Sequence, residues 1–210
     1  MPELALALWF VYGAGALGLR VAIHLRRTGS TGLVGPRSAL WSLPWLAETM
    51  HSVALGLGVA PPILDLTGVI QPIEALDRRA VHIAGVTLFG VGLIGVVVGQ
   101  AQMRDSWRIG TDPNERTDLV TNGLFAVVRN PIYVALVPTL FGLAFLVPNV
   151  VSLPSVVLFF AALEIETRLI EEPHLLRVHG DAYSRYAARV GRFIPGIGRI
   201  RVAREVAGRS

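Results

Sequence analysis

The side chains of this 210-residue chain that could do chemistry gather at two places. Arg129-Asn130-Pro131-Ile132-Tyr133 opens one apolar run, and Glu171-Glu172-Pro173 follows the last one. There is no cysteine, which excludes disulfides, thiolate metal sites and thiol nucleophiles. The histidines at 24, 51, 82, 174 and 179 show no HxxxH or HExxH spacing, so no metal site is expected. Catalysis therefore falls to Arg, His, Glu, Asp, Tyr, Ser or Thr, or to a bound cofactor.

Each cluster also has a purely structural reading. Asn130 followed by Pro131 is ordinary helix-start grammar, Asn as N-cap and Pro at N1, with Arg129 and Tyr133 as interfacial anchors. Glu164, Arg168 and Glu172 stand at i, i+4 spacing, as in a surface ion-pair ladder. That ladder explains Arg168 but not why Glu166, Glu171 and Glu172 crowd a membrane edge, where ionisable groups are functional candidates by default. Gly85, Gly92, Gly95 and Gly99 share roughly one helix face, and Gly95 to Gly99 is a GxxxG. Close helix packing is the usual meaning, with a ligand against bare backbone as the alternative. No GxGxxG sits in a strand–turn–helix context, so a dinucleotide-binding site of that kind is not supported.

The elements that position these groups are apolar helices. The composition is 52% hydrophobic and 16% charged, against about 25% charged in soluble domains. Five runs are long enough, or nearly so, for the ~20 residues that cross a bilayer: Leu4 to Leu25, Pro44 to about Ile70, Ala80 to Met103, Pro131 to Val147 and Ser152 to Leu169. Pro61-Pro62 should kink or end the second, and Pro148-Asn149 is a turn signal between the last two. The opening run lacks a basic leader and a cleavage site, and reads as a retained helix rather than a signal peptide. The expected fold is an all-α integral membrane protein of about five transmembrane helices.

All 19 basic residues are arginine, which fits biased codon usage. They fall mainly between and after the apolar runs, a pattern for membrane orientation and acidic headgroups rather than nucleic acid. Arg26, Arg27 and Arg37 mark the first loop, Arg104, Arg108, Arg116 and Arg129 the third, and eight arginines the tail from Arg177. This places the N-terminus outside and the C-terminus in the cytosol, with Arg78 and Arg79 at the inner edge of the second loop as the dissenting signal. In the tail, Leu176, His179, Tyr183, Tyr186 and Val190 share one face of an amphipathic helix that Gly180 weakens and Pro195-Gly196 ends. From Ile197 a loose basic tail is expected. The chain divides into helices 1–2 (1–79), a core (80–195) and the tail (196–210).

Taken in order, Ser106-Trp107-Arg108, Leu119 to Phe125 (LVTNGLF), Arg129 to Tyr133, the apolar hairpin, Glu171-Glu172-Pro173, Gly180 to Tyr186 and Arg192 to Pro195 resemble the isoprenylcysteine carboxyl methyltransferase and phospholipid methyltransferase superfamily. The resemblance covers about residues 80 to 195; the N-terminal third shares only hydropathy. It implies S-adenosyl-L-methionine as cofactor, bound at the cytosolic interface under the tail. Arg129 and Glu172 would be the catalytic pair, with Val120, Gly123, Asn130, Pro131, Tyr133, Glu171 and Tyr183 around the cofactor. Asn130 stands where the family usually has His, and Ala135 replaces a Gly. The implied acceptor is lipid-like or isoprenylated, with carboxyl O-methylation in the membrane, expected to be a bacterial plasma membrane. An NADPH-dependent membrane sterol reductase and a non-enzymatic scaffold are the alternative readings.

Overall fold

The computed structural model describes residues 1–34, 39–42, 45–46, 49–50, 53, 56, 58–110 and 117–200. Among these residues the fold is helical, with two isolated parallel bridges, Leu33 with Ile109 and Val128 with Gly191. Helix α1 (Pro2–Thr28) and the stretch Arg79–Ser106 are long and apolar enough to cross a bilayer. The regular part of that stretch is α3 (Arg79–Met103), preceded by the short α2 (Ala60–Leu66). Helix α4 (Pro131–Leu146) has 16 residues, a length of about 24 Å at 1.5 Å per residue. Helix α5 (Ser152–Glu166) continues through a π-helical turn, Thr167–Glu171, into α6 (Glu172–His179), and α7 (Asp181–Arg189) follows. Part of the expected second span, with His51 in it, lies outside the described residues. Its described end begins α2, where Pro61 and Pro62 occupy the first turn and so lose no helical hydrogen bond.

Helices α3 and α4 are locked together by the glycine stripe. Backbone of Gly142, Thr139 and Ala135 lies against Gly85 and Gly92, and Ala135 and Ile132 lie against Gly95 and Gly99. The face is filled by a neighbouring helix, leaving no place there for a ligand. The opposite face of α3 exposes Val91, Ile94 and Val98, the outward apolar surface of a helix suited to lipid. Ala16, Val96, Leu136, Phe159 and Leu163 tie α1, α3, α4 and α5 into one core. At the far end the hairpin tip is capped by Asn149, whose Oδ1 accepts from the Val151 and Ser152 N–H groups at 3.0 and 2.9 Å.

Three expectations need correcting. The last helix does not stop near Leu169 but runs on past Pro173. Proline lacks the N–H for the usual i→i−4 bond, and the π-helical turn just before it absorbs the mismatch. The tail is two amphipathic helices rather than one: Gly180 takes φ +50° and breaks α6 from α7. The segment after α7 is held on the core as far as Ile200, with hydrogen bonds Arg192 N–H to Ile197 O (2.8 Å) and Ile200 N–H to Ala187 O (3.0 Å).

Candidate functional site

The charged ends of α4, α5 and α6 meet the returning tail around Arg129. Its backbone N–H bonds Gly191 O at 2.8 Å, and Asn130 N–H bonds Arg192 O at 3.1 Å, so the tail lies as a short strap beside residues 128–130. The Arg129 side chain is buried. One terminal nitrogen donates to Ala187 O (3.2 Å) and Val190 O (2.6 Å), the other to Glu172 Oε1 (2.5 Å) and Gly198 O (2.9 Å). Arg192 grips the same carboxylate through Nε to Oε1 (2.7 Å) and its Nη2 to Oε2 (2.8 Å). Burial pushes the Glu172 carboxyl up, but the hydrogen bonds and charges of Arg192 and Arg129 outweigh it and hold the group below its ordinary value. Arg192 is raised in turn, chiefly by its hydrogen bond to Glu172.

Of the expected ladder only the first rung exists, Arg168 with Glu164. Glu172 faces the other way, toward Arg129 and Arg192, because the π-helical turn rotates it off the Glu164–Arg168 face.

Two chambers adjoin this knot. The larger, about 580 Å³, runs between α1, α4 and α5 and is walled by apolar groups such as Ala16, Leu17, Ile132, Leu136 and Phe159. Its polar end carries Gln100, Tyr133, Glu166 and Glu171. The smaller, about 150 Å³, lies under α6 and α7 and is lined by Asp118, Val120, His174 and Tyr183, among others. They share a rim of Met103, Arg108, Gly110, Phe125, Arg129, Asn130 and Glu171. The Tyr133 hydroxyl donates to Glu171. Burial pushes Tyr183 well above its ordinary value and Tyr186 up to about 12, so both stay neutral phenols.

The structure thus gathers Arg129, Asn130, Pro131, Tyr133, Glu171, Val120 and Tyr183 on chamber walls. Glu172 and Gly123 are not among the lining residues. Glu172 stands behind the wall with Arg129 and Arg192 on its oxygens. Gly123, at φ +58°, lies under the Gln102 side chain, which accepts from Leu124 N–H at 2.8 Å.

The family question is decided by the match of residues 80–182 to the phospholipid methyltransferase family. These residues belong to that family. The resemblance read from the motifs to the isoprenylcysteine and phospholipid methyltransferases therefore holds. Among solved structures, a eukaryotic intramembrane Ras methyltransferase, isoprenylcysteine carboxyl methyltransferase, shares the fold with a TM-score of 0.59 and 22% identity over 87% of this chain. The chain spans 62% of the length of that protein. No curated protein matches by sequence. The two chambers lie within and beside the core that the family match covers.

That core also uses residues that motif reading did not single out. Tyr12 and Trp9 of α1 line the larger chamber from outside the matched region, and only their hydropathy was visible. Arg192 was quoted in a motif but given no role. Gln100 and His174 also line the walls, beside Glu166 and Arg108 of the segments already named.

Proposed function

We propose that this protein transfers a methyl group from S-adenosylmethionine to a lipid-like or isoprenylated acceptor, by carboxyl O-methylation of an isoprenylcysteine-type thioether. The site faces the cytosol of a bacterial plasma membrane in this reading, as the arginine distribution favours. The observation that carries it is the pair of chambers, one polar and one apolar, meeting at a single rim.

The residues fit the cofactor. Glu171, Asp118 and Asn130 offer acceptors for an ammonium or a ribose diol, and carboxylates at the rim favour a sulfonium cation. Held there, the cofactor would supply an electrophilic methyl group. The larger chamber lies within the ~300–1,000 Å³ of small-molecule sites, and its apolar walls suit a hydrocarbon tail. Tyr133 orients Glu171 through its hydroxyl. Glu172 and Arg192 act one layer back, and with Arg129 on the rim they hold the tail strap in place and exclude water. A carboxylate acceptor is already nucleophilic, so the protein's task is alignment and dehydration rather than proton removal.

Calorimetric titration of the detergent-purified protein with S-adenosylhomocysteine, with NADPH in parallel, tests the reading. Saturable binding of S-adenosylhomocysteine, weakened in Glu171→Gln, is the expected result. Binding of NADPH alone would move the protein to the reductases, and binding of neither would leave a scaffold.

A further inference from the structure

We infer that Gln100 selects the acceptor by pairing its carboxamide with an amide group beside the acceptor's lipid tail; this rests on the methyltransferase reading above. Gln100 stands near the end of α3, one helical turn after Val96. Positions i and i+4 share a helix face, and Val96 is fully buried in the core of Ala16, Leu136, Phe159 and Leu163. Gln100 therefore projects toward the same space between α1, α4 and α5, about 6 Å farther along the helix axis. There it lines the larger chamber, on the side of Met103 and the rim.

This amide is buried but uncommitted. Gln100 is only 7% exposed. Among the described residues its carboxamide has no hydrogen-bond partner, yet it is not sealed in protein and opens on the chamber. Two other uncharged polar groups at this end are engaged with the protein itself. The Tyr133 hydroxyl donates to Glu171, and Asn130 Nδ2 donates to Arg192 O at 3.3 Å.

A polar group in an apolar wall is tolerable while water fills the chamber and costly once a hydrocarbon tail displaces that water. The entering ligand must then supply the partner. A carboxamide presents N–H donors on one side and a carbonyl acceptor on the other. An amide in the ligand answers whichever side faces it, whereas a carboxylate answers only the donors. An amide is also uncharged, so the carboxylates of Glu166 and Glu171 on the same chamber do not repel it. A tail without such a group leaves Gln100 dehydrated and unpaired, and a site of this kind rejects the ligand that lacks the group.

The test uses the protein loaded with S-adenosylhomocysteine in non-ionic detergent. Binding of N-acetyl-S-farnesylcysteine is compared with binding of S-farnesylthiopropionic acid, which keeps the tail, thioether and carboxylate but lacks the acetamido group. The wild type is expected to prefer the amide by about tenfold or more, about 1.4 kcal/mol. In Gln100→Met, which keeps an unbranched side chain without the amide, the preference falls to about twofold or less. Much of that change is a gain for the amide-free ligand, which no longer strands a polar group. Gln100→Leu is expected to behave alike, and both variants bind S-adenosylhomocysteine like the wild type. A loaded wild type that binds the two ligands equally or binds neither, or a Gln100→Met protein with the preference intact, overturns the inference. Loss of S-adenosylhomocysteine binding in both variants also overturns it, by making Gln100 part of the cofactor site or of the fold. A wild type that fails to bind S-adenosylhomocysteine is a separate result, and removes the methyltransferase reading and this inference together.

Discussion

Arg192 and Glu172 form a two-pronged ion pair, Nε to Oε1 at 2.7 Å and Nη2 to Oε2 at 2.8 Å, that joins the tail strap to the start of α6. Arg129 shares the carboxylate from the opposite side. Removing the anion leaves the buried Arg129 and the partly buried Arg192 facing each other. Breaking a buried pair in this way costs roughly 3–5 kcal/mol. Glu172→Gln is therefore expected to lower the thermal midpoint in detergent markedly and to weaken S-adenosylhomocysteine binding indirectly. Arg192→Gln should do less, since Glu172 keeps Arg129; equal losses in the two variants would contradict this ranking.

The same carboxylate sets an acid limit. Its folded-state value lies below the ordinary value of 4.5. The stabilisation is thus complete above that ordinary value and is lost as pH falls through the lower folded one. Limited proteolysis of the tail should be unchanged from pH 7 to about pH 5 and rise below about pH 4. In Glu172→Gln that step should vanish.

Tyr133→Phe deletes the hydroxyl that donates to Glu171. A hydrogen bond to a charged group contributes about 1.5–3 kcal/mol. The expected effect is S-adenosylhomocysteine affinity weaker by about tenfold or more, with the circular dichroism and thermal midpoint nearly unchanged, because the ring stays. Unaltered affinity would show that Glu171 needs no such orientation.

The glycine stripe makes a contrast within one helix. A Cβ at Gly92 would stand 2.5 Å from Thr139 N, whereas one at Gly90 meets nothing within 4 Å. Gly92→Ala should destabilise by roughly 1–3 kcal/mol through forced separation of α3 and α4, and Gly90→Ala should be neutral or mildly stabilising. Thermal unfolding of the two variants side by side checks it.

The helical bundle was legible because its signals are local. Apolar run length, Pro148-Asn149 and the glycine stripe each report on a few consecutive turns, and α1, α3, α4 and the hairpin tip lie where they point. Gly180 was legible as a weakness but not as a break, since composition does not reveal that the chain needs a positive φ there. The continuation of the helix past Pro173 was hidden for a related reason: a π-helical turn depends on packing, not on any residue type. The site was legible in part. Tyr133 and Glu171 belong to recognisable segments, and the structure sets them 38 positions apart in sequence and in hydrogen-bond contact. The bond from Arg192 to Glu172, 20 positions away, and the approach of Arg108 to His174, 66 positions away, depend on how the strap and α6 fold back. No spacing rule reaches that far. The α1 wall was illegible because Trp9 and Tyr12 sit in a run where only hydropathy could be read.

Arg129 reads the tail through the main-chain oxygens of Ala187, Val190 and Gly198. A carbonyl is supplied by every amino acid, so this recognition is blind to side-chain identity. Side chains between residues 193 and 200 can drift without loosening the grip, except at Gly196 and Gly198, whose φ of +78° and +74° keep the backbone on its path. Gly191 escapes that freedom, since a Cβ there would stand 2.6 Å from Ile197 O, and so does Arg192. Distant relatives can inherit the fastening as a shape while their tails no longer align letter by letter.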